Sequence, residues 1–168
     1  MTIPNPEHFF EQAEQLVSSS ASRRPRQVDL RRAISNAYYA VFHATVRAAA
    51  DHIVGRSARA APHYALVYRS VDHRALRELC KEIQKSTLAA KYRQDAPDGF
   101  GPEIGAFAHA VVELQIRREA ADYDPLADFK RSDAHIAISL GRRALQRFER
   151  ARDSERDSFL NLLLFRPR

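Results

Sequence analysis

The sequence predicts an all-α protein, and both its composition and its hydrophobic spacing indicate this. Alanine occurs 27 times, whereas the β-favouring residues valine, isoleucine and threonine total only 20. Glycine and proline together number 13 of 168 residues, below the average share of about 12%. Several segments repeat apolar residues at three- and four-residue steps, the spacing of one helix face. A chain of this length fits a single helical domain covering residues 1–168.

Capping residues and apolar stripes predict the first two helices. Asn5 and Pro6 suit the start of a helix that runs to about Ser20, followed by a polar, basic linker at 18–26. A second helix is expected from about Asp29, which can cap it, to about Ile53, just before Gly55. Its predicted buried face has the following members: Leu30, Ile34, Ala37, Val41, Ala44 and Ala48.

The rest of the chain predicts three more main helices. After a short helix at 64–69, the third main helix spans about 72–88 and the fourth about 102–121. Pro125 places a loop between the fourth and fifth helices. The fifth begins at Ser132 or Asp133 and continues through an alternating charged stretch to about Leu164. The sum is an up-and-down bundle of about five helices.

The charge and the cysteine content indicate which partners and which cellular compartment fit the protein. The net charge is +6, and 23 of the 27 basic residues are arginine. Arginine excess fits a phosphate-rich partner, but GC-rich coding sequence raises alanine and arginine in the same way. The lone Cys80 excludes an internal disulfide and fits a reducing compartment. No apolar segment approaches the roughly 20 residues of a membrane span, so we expect a cytoplasmic protein without membrane contact.

A polar stripe lies beside the apolar face of the second predicted helix. Arg32, Asn36, Tyr39 and His43 follow one another at steps of four, three and four residues. This spacing places them on one helix face, where they could hold a phosphate and move a proton. The alternative is that Tyr39 and His43 are half-buried core groups with satisfied hydrogen bonds.

A second polar cluster lies at the end of the fourth predicted helix. It contains Arg117, Arg118, Asp122, Tyr123 and Asp124, and arginine is favoured at that end by the helix dipole. The structural alternative pairs Arg118 with Asp122 at i,i+4 and packs Tyr123 back onto the bundle.

Three motifs occur in a recognisable order: SNAYYAVFHA at 35–44, VDHRAL at 71–76 and RREAADYDP at 117–125. Together they resemble the HEPN superfamily, the nucleotide-binding helical domains of higher eukaryotes and prokaryotes. The chain is most similar to a small bacterial branch with an AYYAxFHA helix and an ADYD motif. The resemblance covers about residues 7–150 and leaves 151–168 as a C-terminal helical extension.

The resemblance implies a helical bundle that forms a homodimer with a two-fold axis. Many members are metal-independent endoribonucleases, including toxins, whose R-x4-6-H motif is assembled from both protomers. In them the arginine holds the scissile phosphate and the histidine assists attack by the 2′-hydroxyl. Other members pair with a small nucleotidyltransferase, and the resemblance therefore also fits a component of a toxin–antitoxin or defence operon.

The sequence departs from the ribonuclease motif where the histidine should stand. Four residues separate Arg118 from Tyr123, and a phenol is a poor base at neutral pH. His43 is then the best proton carrier, provided that its helix faces Arg118. The catalytic candidates are therefore Arg118, Tyr123 and His43. The candidates for binding nucleotide or RNA are Arg32, Asn36, Tyr39, Arg117 and Asp122.

Other site classes find little support in the sequence. One cysteine and scattered histidines give no metal-ligand spacing, and no glycine-rich phosphate loop follows a strand, so we expect neither metal nor cofactor. Basic segments at 22–26 and 55–59, with Arg142, Arg143 and Arg147, could follow a nucleic-acid backbone. Three functions stay open: a module that binds nucleotide, RNA or a partner protein, a ribonuclease toxin, and a structural protein without a ligand.

Overall fold

A computed structural model describes residues 3–18 and 25–167 of the chain, and this part is helical without a strand. The predicted all-α helical bundle is therefore confirmed. The number of helices is eight in the described residues rather than about five, with a 3-10 turn at Arg56–Ala58. The helices are α1 Pro6–Ser18, α2 Gln27–Val54, α3 Pro62–Ser70, α4 His73–Ile83, α5 Ala90–Arg93, α6 Pro102–Tyr123, α7 Arg131–Arg150 and α8 Asp153–Leu164.

Helix α1 begins where the capping residues predict. The Glu7 backbone N–H donates to Asn5 Oδ1 at 3.3 Å, which satisfies one of the unpaired amides of the first turn. Phe10, Ala13 and Val17 bury one face of the helix. Most of the linker predicted at 18–26 lies outside the described residues, as do Ser20 at the predicted end of α1 and 22–24 of the first basic segment.

Helix α2 is the centre of the bundle. Its 28 residues pack against α1, α3, α6, α7 and α8. The helix starts two residues before the expected position, and Asp29 does not cap it. Instead the Asp29 carboxylate, inside the first turn, accepts two hydrogen bonds from Arg26, at 2.8 and 3.0 Å. Gly55, with φ of 90°, ends the helix as predicted.

Helix α7 packs closely onto α1 and α2 at Gly141. A Cβ atom at this position would lie 2.8 Å from the Phe10 ring and 3.2 Å from the Ala37 carbonyl oxygen. The first distance is too short for van der Waals contact, and the second is tight. Glycine at 141 therefore sets how tightly α7 packs onto the central helix.

The segment between α2 and α6 differs from the prediction mainly in the length of α4. The short helix at 64–69 is present as α3, but α4 ends at Ile83 rather than near residue 88. Asp72 caps α4 by accepting from the Ala75 N–H at 2.6 Å. Just beyond its end, the Ala89 backbone N–H donates to the nearly buried Glu82 carboxylate at 2.7 Å. This bond turns the chain back over the last turn of α4.

The predicted fifth helix is two helices, α7 and α8. Asp133 helps cap α7, because its carboxylate accepts from the Lys130 N–H at 2.7 Å. Ala151 has an extended backbone, with φ of −60° and ψ of 150°, and separates α7 from α8. Arg156 donates to the Glu149 and Ala151 carbonyls at 2.6 and 3.1 Å, which satisfies the end of α7. The charged stretch that was predicted to be continuous helix therefore contains the corner between α7 and α8.

The corner returns α8 to the core. Phe159, Leu160, Leu162 and Leu163 are all buried. The Phe107 ring, fully buried on α6, has its centre 4.8 Å from that of Phe148 and 5.5 Å from that of Phe159. This aromatic cluster joins α6, α7 and α8. No helix in residues 3–18 and 25–167 combines the length and the apolar character needed to cross a membrane.

Candidate functional site

The Arg118 guanidinium is the centre of the polar cluster at the end of α6. Its side chain is 13% exposed, and Nη2 donates to the Tyr39 hydroxyl at 2.7 Å and to the Tyr123 hydroxyl at 3.4 Å. The guanidinium carbon lies 5.4 Å from the centre of the Tyr39 ring and 5.2 Å from that of Tyr123. Helix packing therefore brings one predicted residue of α2 together with two predicted residues of α6.

Asp122 neutralises part of this charge and is itself held in place. Its Oδ2 lies 2.7 Å from Arg118 Nε, as the structural alternative expects, but the buried Nε–H has no well-aligned acceptor in the described chain. Ser35 on α2 donates from its hydroxyl to Asp122 Oδ1 at 2.5 Å. Tyr123 does not pack back onto the bundle, because it is 70% exposed.

Arg31, which the sequence analysis missed, fixes the chain on which Asp122 and Tyr123 lie. Its Nη1 donates to the carbonyls of Ala121 and Asp124, both at 2.9 Å, and its Nη2 donates to that of Ala127 at 2.5 Å. The guanidinium also lies over the Phe129 ring at 5.4 Å. A cation at a helix C-terminus satisfies carbonyls that have no partner within the helix.

The polar residues of α2 that face α6 are not all those of the predicted stripe. The first two of them lie one position earlier in the sequence than predicted. Arg31, Ser35 and Tyr39 follow each other at four-residue steps and all contact the end of α6. The predicted Arg32 is exposed instead. The predicted Asn36 is buried against α1, where its Nδ2 donates to Gln12 Oε1 at 2.8 Å. Asn36 therefore joins two helices and lies outside the Arg118 cluster.

Arg117 points along α6 rather than into the cluster. Its Nε donates to Glu113 Oε1 at 2.8 Å and forms an i,i+4 ion pair. Its side chain is 31% exposed.

Two histidines lie beside the Arg118 cluster. His43 Nδ1 shares a hydrogen bond of 2.7 Å with the Tyr68 hydroxyl of α3, and its ring stacks on Phe9 at 5.0 Å. In the described residues, no hydrogen bond or ion pair joins His43 to Arg118 or Tyr123. His73, the first residue of α4, shares a hydrogen bond of 2.9 Å with the Tyr38 hydroxyl. The His73 ring centre is 6.0 Å from that of Tyr39.

The surroundings of His43 and His73 keep both imidazoles neutral at physiological pH. Burial lowers the pKa of His43 below its usual value, and the neighbouring His73 adds to this effect. Burial and then the Arg118 charge lower the pKa of His73, against a smaller opposing effect of Asp72. Burial raises the pKa of Tyr68 to about 12, so its phenol keeps its proton. A neutral imidazole can accept a proton, which is the form a general base needs.

Acidification below the ordinary histidine pKa should destabilise the fold. The unfolded chain binds protons at His43 and His73 from about pH 6.5 downwards, while the folded chain resists until the lowered pKa values are reached. The free energy of unfolding therefore falls from pH 7 to pH 5.5. Urea unfolding across this range measures the fall, and His73→Asn should reduce it.

The carboxylates provide the control for this pH dependence. Ion pairs hold the pKa values of Glu82 and Glu155 below their usual range. The stability that these groups provide is lost only below about pH 4.5, outside the histidine range. An unchanged or rising stability between pH 7 and pH 5.5 would contradict the assignment of neutral, buried histidines.

The remaining sequence candidates are distributed over other faces. Arg142 is paired with Glu7 at 2.8 Å and with Glu14 at 3.0 Å, and Arg147 with Glu103 at 3.0 Å. In the described ranges, histidines, cysteine and carboxylates form no group that could hold a metal ion. The missed residues Arg31 and Ser35 could have been found from the four-residue polar row, and His73 already stands in the VDHRAL motif.

The cluster has the chemistry of a small anion site with proton carriers nearby. One largely buried guanidinium stands between two phenols, with an aspartate that fixes its orientation and two neutral imidazoles on the adjoining helices. Guanidinium and hydroxyl donors suit a phosphate oxygen.

Comparison of the chain with protein-family models, with curated proteins and with solved structures gave no match.

Proposed function

We propose that this chain is a dimeric helical module that binds RNA or a nucleotide through a phosphate group at Arg118. The single observation that carries the proposal is the placement of the Arg118 guanidinium between the Tyr39 and Tyr123 hydroxyls. A fork of donors that is already oriented loses little freedom when it binds phosphate. The resemblance to the HEPN superfamily supports the same ligand class.

The environment of Arg118 gives further support. Tyr123 is largely exposed beside the guanidinium and offers a ring on which a base can stack. Arg31 and Ser35 hold the end of α6, so the donors stay in place before a ligand arrives. Asp122 reduces the local charge, and an incoming phosphate has to compete with it for Arg118.

The proposed partners follow from the surface of the same region. Ile116, Tyr123 and Leu126 are large apolar residues that are 48, 70 and 91% exposed at the end of α6 and in the next loop. Exposed apolar residues around a polar centre are typical of a protein interface. We assign this face to a second copy of the chain, and a nucleotidyltransferase-type protein of a toxin–antitoxin operon is the second candidate partner. A strict monomer by light scattering at high concentration would contradict the dimer.

Arg118→Ala should weaken binding of a fluorescent single-stranded RNA by at least about tenfold, because it removes a charge-assisted fork of hydrogen bonds. Arg118→Lys keeps the charge without the fork and should give an intermediate loss. Fluorescence anisotropy at fixed salt gives the three affinities, and thermal unfolding shows that each variant is folded.

The matched control is Arg150→Ala, which removes the same charge from an exposed position on α7. It should change the affinity by less than about twofold. Equal losses in Arg118→Ala and Arg150→Ala would mean that RNA senses only net charge, and the Arg118 site would then be wrong. The absence of any RNA binding by the wild type would also reject it.

A metal-independent ribonuclease is the second candidate function, and the two neutral histidines favour it. In this reaction Arg118 holds the phosphate while an imidazole removes the proton of the 2′-hydroxyl. His73 joins His43 as a candidate base, because its pKa responds to the Arg118 charge. Incubation of total RNA with the protein and a chelator tests the activity. Intact RNA at micromolar protein would leave binding alone as the function.

A further inference from the structure

A groove of about 740 Å³ opens on the bundle away from the Arg118 cluster. It lies between the start of α1, the second half of α2, the end of α7 and α8. Small-molecule sites typically have volumes of about 300–1,000 Å³, and the groove falls within this range. None of the residues around Arg118 lines it.

Arginines of α2 and of the following 3-10 turn line one wall of this groove. Arg59 is committed to Asp51, with its Nε 2.9 Å from Oδ1, and Arg156 is committed to carbonyls at the end of α7. Arg56 approaches Asp51 only to 3.8 Å and is 86% exposed. In the described chain, the half-buried Arg47 guanidinium has no hydrogen-bond or ion-pair partner. Two arginines, Arg47 and Arg56, are therefore available to an anion.

The acidic residues of the groove are mostly neutralised. Glu7 is paired with Arg142 at 2.8 Å, and Asp51 binds Arg59 and accepts a hydrogen bond from the Tyr64 hydroxyl at 2.9 Å. Glu149, exposed at the end of α7, is the acid that opposes an incoming anion. The groove therefore presents more available positive than negative charge.

The floor of the groove is apolar. It is formed by small side chains of α2 and larger ones of α7 and α8: Ala44, Ala48, Leu145, Phe148 and Leu160. Ala44, Ala48 and Leu145 are only partly buried and supply the accessible apolar area for a flat group, whereas Phe148 and Leu160 are 8 and 5% exposed. A ligand that fits both wall and floor has a charged end and an apolar body.

The geometry points to a second binding site in this groove, for an organic phosphate with a flat apolar body. Arg47 and Arg56 bind the phosphate, because each guanidinium group can donate two parallel hydrogen bonds to two phosphate oxygens. The apolar body lies on the floor formed by α2, α7 and α8. This site is independent of the function proposed for Arg118.

Isothermal titration calorimetry with 1-naphthyl phosphate measures the affinity of the site. The same titrations with 1-naphthol and with inorganic phosphate measure the affinity of each part of the ligand alone. We expect the whole ligand to bind at least about tenfold more tightly than either half. Arg47→Ala should weaken it by about tenfold, and Glu149→Gln should strengthen it, because an opposing charge is removed. Both positions lack side-chain ion pairs in the described chain, so the fold should tolerate both changes.

The Arg118→Ala variant tests whether the groove binds its ligand independently of the Arg118 site. It should leave the affinity for 1-naphthyl phosphate unchanged, whatever it does to RNA binding. Loss of this affinity in Arg118→Ala but not in Arg47→Ala would place the ligand at the other site and overturn the groove. Equal binding of 1-naphthol and its phosphate, or no binding by the wild type at millimolar ligand, would overturn it as well.

Discussion

Arg31→Ala should lower the free energy of unfolding by about 2–4 kcal/mol, since hydrogen bonds to a charged group contribute about 1.5–3 kcal/mol each and water replaces them in part. The change removes all three hydrogen bonds to carbonyls in the last turn of α6 and in the loop after it. It should also weaken RNA binding, because Asp122 and Tyr123 lie on the chain that Arg31 holds. Urea unfolding and RNA anisotropy on the same samples give both effects.

Arg32→Ala is the matched control, one residue along the same helix. Arg32 is exposed, and exposed substitutions usually change stability by less than about 0.5 kcal/mol. If the two variants unfold at the same urea concentration, Arg31 does not hold the end of α6. The pair also decides between the polar row of the structure and the stripe predicted from the sequence.

Phe107→Ala should cost about 3–5 kcal/mol, the usual loss when a buried aromatic side chain is truncated and leaves a cavity. Phe107 is fully buried and its ring contacts Phe148 of α7 and Phe159 of α8. The cavity would lie where side chains of α6, α7 and α8 meet. The midpoint of thermal or urea unfolding measures the loss.

Phe165→Ala provides the comparison, because this phenylalanine is 64% exposed just after α8. Its removal should have an effect of less than about 0.5 kcal/mol. A similar loss in both variants would mean that the cluster around Phe107 is not the place where α8 joins the core.

Helix positions could be predicted where a single residue decides the local structure. Asn5 caps α1 and Gly55 ends α2, and both act through their own backbone neighbourhood. The end of α4 and the corner at Ala151 depend on hydrogen bonds that the Glu82 and Arg156 side chains make with backbone groups seven and five residues away. Helix propensity and apolar spacing do not contain these bonds, so the sequence predicts these two helices to be too long.

The candidate site was predictable within a helix but not between helices. The i,i+4 rule places Asp122 beside Arg118. Which face of α2 meets them depends on helix packing, and a shift of one residue turns a side chain by about 100° around the helix. Arg31 and Ser35 therefore take the places expected for Arg32 and Asn36. His73 reaches Tyr38 of α2 from the start of α4, a helix that packs mainly against α6, and no local pattern indicates this contact.

The enclosure of α2 by five other helices also determines where the molecule can fluctuate. Its middle turns are covered on nearly every side, so they can separate from their neighbours only when the bundle unfolds as a whole. Local opening is confined to the helix ends and the connecting segments. Tyr39 and His43 therefore keep a fixed spacing on a rigid helix, while the exposed Tyr123 side chain can rotate about its own bonds without moving the backbone that Arg31 holds.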